Sequence, residues 1–281
     1  MSGVVSRLVN RPSLLNMLGR LGVRAPLWRM YCRLFGPEGG IIHLDLDGRH
    51  ARFYVHSAWI AEDLKTFGRG ERALVSRLVS TLKTGDVVYD VGANMGLHSV
   101  FFGQAVGPAG QIIAFEPEPH YCERLRSNVS LNGLSNVRIF PLALGEHSYA
   151  SELLPAVRGL ASPRLAELSE AQTRARAGQE VRVIEGDRLV ETEKLPVPRL
   201  VKIDVEGHEY AVLRGLRGTL ANPGCEVVCC EVHPKLLPKG VNPEKIVSLV
   251  RSCEFTRVEI LPRPPEMHVI GFKGGGMEGA A

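Results

Sequence analysis

Short apolar runs alternate with longer amphipathic stretches from residue 87 onward. That alternation predicts strand–helix repetition, and hence an α/β fold with a mostly parallel sheet covered by helices on both faces. Strands are expected at Val87–Val91, Gln111–Phe115, Val137–Phe140, 200–204 and 226–232. Helices are expected at Leu97–Val106, Pro119–Leu131, 209–216 and 243–253, the second opened by a proline at its first position. Two last apolar runs, 255–260 and 267–272, flank a Pro-rich turn and predict a closing antiparallel hairpin. Upstream, Ile41–Leu46 and 51–55 alternate around Asp47-Gly48, a strong hairpin signal, and 71–82 has a helical apolar face. Right-handed crossovers bring every parallel strand's carboxyl end to one edge, where ligands bind.

Two segments fall outside this rhythm. Residues 145–198 are polar and Arg/Glu-rich, with a single strand-like run at 181–184; an insertion there could cover a substrate or be a passive excursion. Residues 1–36 carry six arginines and no acid, so the net charge of +4 belongs to one end and the rest of the chain is slightly acidic. This argues against a nucleic-acid partner by bulk charge. Pro12 and Pro26 break the segment into short helices. A helical appendage, residues 1–40, with its arginines in water is favoured, and peripheral contact with an anionic membrane is the alternative. The remaining 41–275 then form one domain. No apolar stretch reaches transmembrane length. Six cysteines without a paired spacing read as reduced thiols, and no secretory leader is recognised, so a cytoplasmic setting is expected.

The most informative chemistry lies where the first core strand ends, in Asp90, Val91, Gly92, Ala93, Asn94, Met95 and Gly96. A strand running into a glycine turn and then a helix lets a ligand approach the backbone. Asp90 at the strand tip would repel a pyrophosphate but suits a cationic amino group such as that of S-adenosylmethionine. Glu116 ends the next strand, where a carboxylate can accept both hydroxyls of an adenosine ribose.

Residues 90–96 (DVGANMG), 115–117 (FEP), 201–209 (VKIDVEGHE) and 230–233 (CEVH) resemble the FkbM family of methyltransferases, over about residues 40–275. The resemblance implies a Rossmann-like class I methyltransferase fold and S-adenosylmethionine as cofactor. Asp90, Gly92, Ala93, Asn94 and Gly96 would hold its methionine end, Glu116 its ribose, and Leu142 and Ala143 would face its adenine. It further implies O-methylation of a small-molecule or glycan hydroxyl, without identifying the acceptor.

Independently of that likeness, the fourth and fifth strands end in Asp204, Glu206, His208, Glu209, Glu231 and His233. Adjacent strands would bring Asp204 near Glu231, and like charges at close range raise a pKa toward neutrality. His233 or Glu231 is the expected base, with Asp204 and Glu206 orienting the acceptor. A second reading puts Mg2+ or Mn2+ on Asp204, Glu231 and His233. Glu209 reads as a first-turn helix carboxylate and Lys202 as structural. Rival functions are an NAD-dependent oxidoreductase, disfavoured because the loop lacks G-x-G-x-x-G, and a nucleic-acid N-methyltransferase, disfavoured because DVEG replaces the usual Asn/Asp-Pro-Pro-aromatic tetrapeptide. A cofactor-binding protein without catalysis is the non-enzymatic alternative.

Overall fold

The apolar run at 87–91 becomes β3 (Val87–Val91), with every residue but the first buried. The computed structural model describes residues 40–55, 58–67, 71–154, 164–165 and 179–274. The appendage expected at residues 1–40 lies almost wholly outside them. Around β3 stand β4 (Gln111–Phe115), β5 (Val137–Phe140), β10 (Leu200–Ile203) and β11 (Val227–Val232), all parallel. The final strands β12 (Arg257–Arg263) and β13 (Glu266–Phe272) form the expected antiparallel hairpin, with β13 inserted beside β11. The sheet order is β12-β13-β11-β10-β3-β4-β5. The chain therefore leaves β3 in one direction and returns on its other side at β10, which makes a switch point between those two strands.

Alternating side chains feed two cores. Val88 packs on one face, while Tyr89 and Val91 pack on the other. The first face is covered by helices α2 (Arg72–Ser80) and α3 (Leu97–Val106) and by the hairpin β1 (Ile41–Leu46) and β2 (Arg49–Tyr54). Asp47 and Gly48 take the positive φ angles, 52° and 79°, that a tight two-residue turn demands. Phe101 of α3 ties the hairpin down, with ring centroids 6.3 Å from Phe53 and 5.6 Å from Phe67. Burying one such ring contributes about 1.5–3 kcal/mol. Helix α4 (Pro119–Leu131) satisfies the hairpin's edge, since Asn128 and Asn132 accept the Tyr54 and Arg52 backbone N–H groups at 2.9 and 2.8 Å.

The polar interruption is more ordered than its composition suggests. Strands β6 (Ala143–Gly145), β7 (Tyr149–Leu154), β8 (Arg164–Leu165) and β9 (Gln179–Glu185) form a second sheet, ordered β6-β9-β7-β8. The expected strand at 181–184 lies within β9. Helix α5 (Gly186–Thr192) follows, the expected helix at 209–216 is α6 (Glu209–Gly215), and a further short helix, α7 (Arg217–Ala221), comes directly after it. Helix α8 (Pro243–Ser252) completes the second face. One short helix, α1 (Ala58–Lys65), was not among the expected elements.

Candidate active site

At the carboxyl edge, Gly92 turns the chain at φ 78°, and a Cβ there would lie 1.8 Å from the Asp204 carbonyl oxygen. The glycine is thus demanded first by the close approach of β10 and only then by any ligand. Gly96 starts α3 at φ 89°, where a Cβ would meet Leu125 Cδ1 at 2.5 Å. Between them, the Asn94 backbone N–H donates to Glu116 Oε2 at 2.8 Å, and the Glu118 N–H donates to Oε1 at 2.9 Å. Burial is the largest influence on Glu116, and it pushes the carboxyl up to about 7.

A cleft of about 610 Å³ of empty space, including its open mouth, runs along this edge. Gly92, Asn94, Glu116, Leu142, Ala143, Asp204 and Glu206 line it, so seven of the expected site residues share one cleft. Asp90, Ala93, Gly96, Glu231 and His233 do not. Asp90 is fully buried behind the loop, accepting from Ser99 Oγ at 2.6 Å and facing Lys202 Nζ at 3.2 Å. Burial alone would raise its pKa, but Lys202, His98 and Ser99 outweigh burial and hold the carboxyl below its ordinary value. Asp90 is therefore placed to brace the loop. Lys202 also donates to the Gly92 carbonyl at 3.0 Å and faces Asp204 at 3.7 Å, which links strand β10 to the turn.

Sequence reasoning missed part of the cleft. Leu153 of β7 and Leu165 of β8 close it from the inserted sheet, and Tyr121 also lines it, beside His208 of the expected polar cluster. The insertion thus covers the cleft. Its contribution was hidden because strands this short carry almost no periodicity.

Past Asp204 the backbone turns sharply, with Glu206 at φ 50° and Gly207 at φ 100°. A non-glycine residue in the left-handed region is uncommon and costs about 1–3 kcal/mol where the conformation is strained. The turn carries Glu206 toward His233, which stands just beyond the end of β11. His233 Nδ1 is 2.6 Å from Glu209 Oε1, and Glu209 also accepts from the Gly207 N–H at 2.8 Å. The other ring nitrogen, Nε2, faces Glu206 at 3.5 Å, Glu231 at 3.8 Å and Asp204 at 3.9 Å. Glu209, read from sequence as a helix-terminus carboxylate, instead orients the imidazole at the centre of the cluster.

Burial would lower the pKa of His233, but the bond to Glu209 and the field of Asp204 raise it to about 10. Glu206 is raised to about 7, by burial first and by Asp204 and Glu231 next, against the lowering effect of His233. Asp204 is raised by burial and then by Glu231, as the expected proximity of the two requires. Glu231 is gripped from behind by Arg263 and by His268, the latter at 3.4 Å. Those two cations also meet Glu71, at 3.1 and 3.2 Å. No local pattern links Glu71, Arg263 and His268, and only the fold brings them together.

The cleft suits S-adenosylmethionine on its own chemistry. A buried carboxylate stands where a ribose diol would need one, an apolar slot runs past Leu142 and Leu144, and further carboxylates stand near the glycine turn, where a sulfonium and an ammonium could face them. A parallel sheet with one inserted antiparallel strand, and this cleft at its switch point, define a class I S-adenosylmethionine-dependent methyltransferase. Residues 90–256 match the methyltransferase FkbM domain. The chain belongs to that family. It is 30% identical over 218 residues to the hexuronic acid methyltransferase AglP of Haloferax volcanii, covering 76% of this chain and 83% of that one. It is 29% identical over 192 residues to the methyltransferase sdnD of Sordaria araneosa, covering 59% of this chain and 72% of that one. Methyltransferase 1 of Beauveria bassiana is 28% identical over 144 residues, covering 46% and 57%.

Proposed function

We propose that the chain moves the methyl group of S-adenosylmethionine onto an oxygen of a small molecule or glycan, with uronic acids as the first acceptor class to test. The observation that carries this reading is the convergence of Glu206, Asp204 and Glu231 on His233 Nε2 beside the cleft. AglP is named for methylating a hexuronic acid, which supports the acceptor class. Nucleic acid is not part of the proposal, since an edge this rich in carboxylates would repel a phosphate backbone. The described helices include none long and apolar enough to cross a membrane. Five buried cysteines are free thiols, which supports a cytoplasmic setting.

When bound, S-adenosylmethionine supplies an electrophilic methyl group carried on a sulfonium. In the proposal, Asn94, Gly92 and Glu116 hold the cofactor, with Leu142 and Ala143 along its adenine, while Asp90, Ala93 and Gly96 keep the loop in shape. Asp204 and Glu206 orient the acceptor. Glu206 takes the acceptor proton, because its raised pKa matches neutral pH while His233 already carries a proton there. The base role expected for His233 or Glu231 thus shifts to Glu206, with His233 as the cation that organises it. Glu231, held by Arg263 and His268, faces His233 Nε2 from 3.8 Å and completes the cluster.

One observation favours a metal-assisted variant. Asp204, Glu231 and His233 each offer a ligand atom within 4.8 Å of the others, and Glu209 fixes the second nitrogen of His233 as carboxylates do behind metal-bound histidines. Mg2+ or Mn2+ there would lower the pKa of the acceptor hydroxyl.

Methyl transfer to a panel of free, nucleotide-linked and lipid-linked uronic acids, followed by mass spectrometry, tests the proposal. Gain of one methyl on oxygen, abolished in Glu206→Gln, is the expected result. Transfer only to nitrogen in nucleic acid would overturn it. Loss of turnover with a chelator, restored by Mg2+ or Mn2+, would favour the metal-assisted variant.

A further inference from the structure

His208 has no ion pair to a carboxylate among the described residues, and burial is the only influence acting on it. It occupies the N-cap position of α6, yet its side chain makes no capping hydrogen bond. Its Nε2 is buried and has no hydrogen-bond partner among the described residues. A buried polar atom left unpaired costs about 1–3 kcal/mol, so its retention asks for a ligand.

Packing decides which end of the cleft His208 serves. Helix α6 lies directly on β6 because Gly215 has no side chain, and a Cβ there would fall 1.8 Å from the Gly145 carbonyl oxygen. Gly145 leaves room in turn, since its own Cβ would stand 3.2 Å from His208 Nε2. The imidazole is therefore held against β6, whose Ala143 and Leu144 line the cleft with it. This strand follows directly on Leu142, placed along the adenine, and the cleft it lines is also walled by the apolar Leu153 and Leu165.

An adenine ring would find aliphatic walls there for its faces, but its edge of one amino group and several ring nitrogens needs polar partners. We propose that His208 reads the polar edge of the cofactor's adenine, supplying the side-chain hydrogen bond that selects a 6-amino purine. The assignment rests on the cofactor lying in this cleft. Burial, the only influence acting on His208, lowers its pKa to about 4. The ring is thus neutral at physiological pH, and its free Nε2 donates or accepts according to the tautomer, either of which finds a partner on an adenine edge.

Calorimetric titration with S-adenosylhomocysteine and with S-inosylhomocysteine, which carries a 6-oxo group, tests this. The wild-type protein should prefer the adenosyl ligand by about tenfold or more, as expected where a buried polar partner would be left unpaired. His208→Ala should weaken the adenosyl ligand by about tenfold and collapse the preference, with an unchanged Tm for the ligand-free protein. His208→Asn, which keeps a donor and an acceptor, should retain part of both and serves if the alanine variant does not fold. A folded variant of either kind that keeps wild-type affinity and wild-type preference would overturn the proposal and leave recognition to the backbone. Failure of the wild-type protein to bind S-adenosylhomocysteine would instead strike the placement of the cofactor itself, and this proposal with it.

Discussion

His233→Ala is expected to lower turnover by about 10²–10⁴-fold while changing affinity for S-adenosylhomocysteine less than about threefold. Binding survives because His233 is not among the residues that line the cleft. Turnover falls because its Nε2 is the cation around which Asp204, Glu206 and Glu231 are arranged, at 3.9, 3.5 and 3.8 Å. Without it, Asp204 and Glu206 lose the cation that lowers their pKa values and hold their protons more firmly, so Glu206 accepts one from the acceptor less readily. The metal-assisted variant predicts the same loss, since a ligand disappears. Glu209→Gln separates orientation from charge. It keeps a group able to bond Nδ1 but removes the carboxylate 2.6 Å away, and it should produce a smaller fall with the same unchanged binding. Wild-type turnover in His233→Ala would remove the histidine from the chemistry.

Lys202→Met should cost about 3–5 kcal/mol of folding stability, the usual penalty for removing one partner of a buried ion pair. The ammonium, 5% exposed, joins Asp90 at 3.2 Å, the Gly92 carbonyl at 3.0 Å and Asp204 at 3.7 Å. Its loss leaves Asp90, with no exposed surface, holding only Ser99 as a hydrogen-bond donor among the described residues. In a domain of this size that corresponds to a fall of roughly 6–20 °C in Tm, readable by thermal or urea denaturation. Adding Asp90→Asn should recover part of the stability, because both charges are then gone. A cost below about 1 kcal/mol would mean that the pair is not bracing the glycine turn.

Much of the fold was legible because its central elements announce themselves locally. The elements from β3 to β5 fall on the expected residues, since each apolar run is bounded by Gly, Pro or Asn at the turn. Of the inserted sheet, only the strand within β9 was legible. β8 has two residues and β6 three, too few for any period to show, and β6 to β9 are paired by contacts distant in sequence. Helix α7 was not expected either, since its five residues are too few for a period to show.

At the site, residue types announced the chemistry and geometry assigned the parts. Asp204, Glu231 and His233 converge as their positions at neighbouring strand ends implied. The partner of Asp90 did not follow from local pattern, because the alternatives of an internal lysine and an external ammonium look alike in one dimension. Glu209 illustrates the same limit. A glutamate opening a helix is favourable wherever it points, and only the three-dimensional placement of His233 shows that its carboxylate is spent on an imidazole.

Titration with S-adenosylhomocysteine of the wild-type protein beside Glu116→Ala tests the central claim most directly. Glu116 accepts the Asn94 and Glu118 N–H groups and lines the cleft where the ribose is placed. Micromolar binding by the wild-type protein and its loss in a folded Glu116→Ala is the result this account predicts. Equal binding by both would contradict the placement of the cofactor in this cleft, and absence of binding by the wild-type protein would contradict it more broadly.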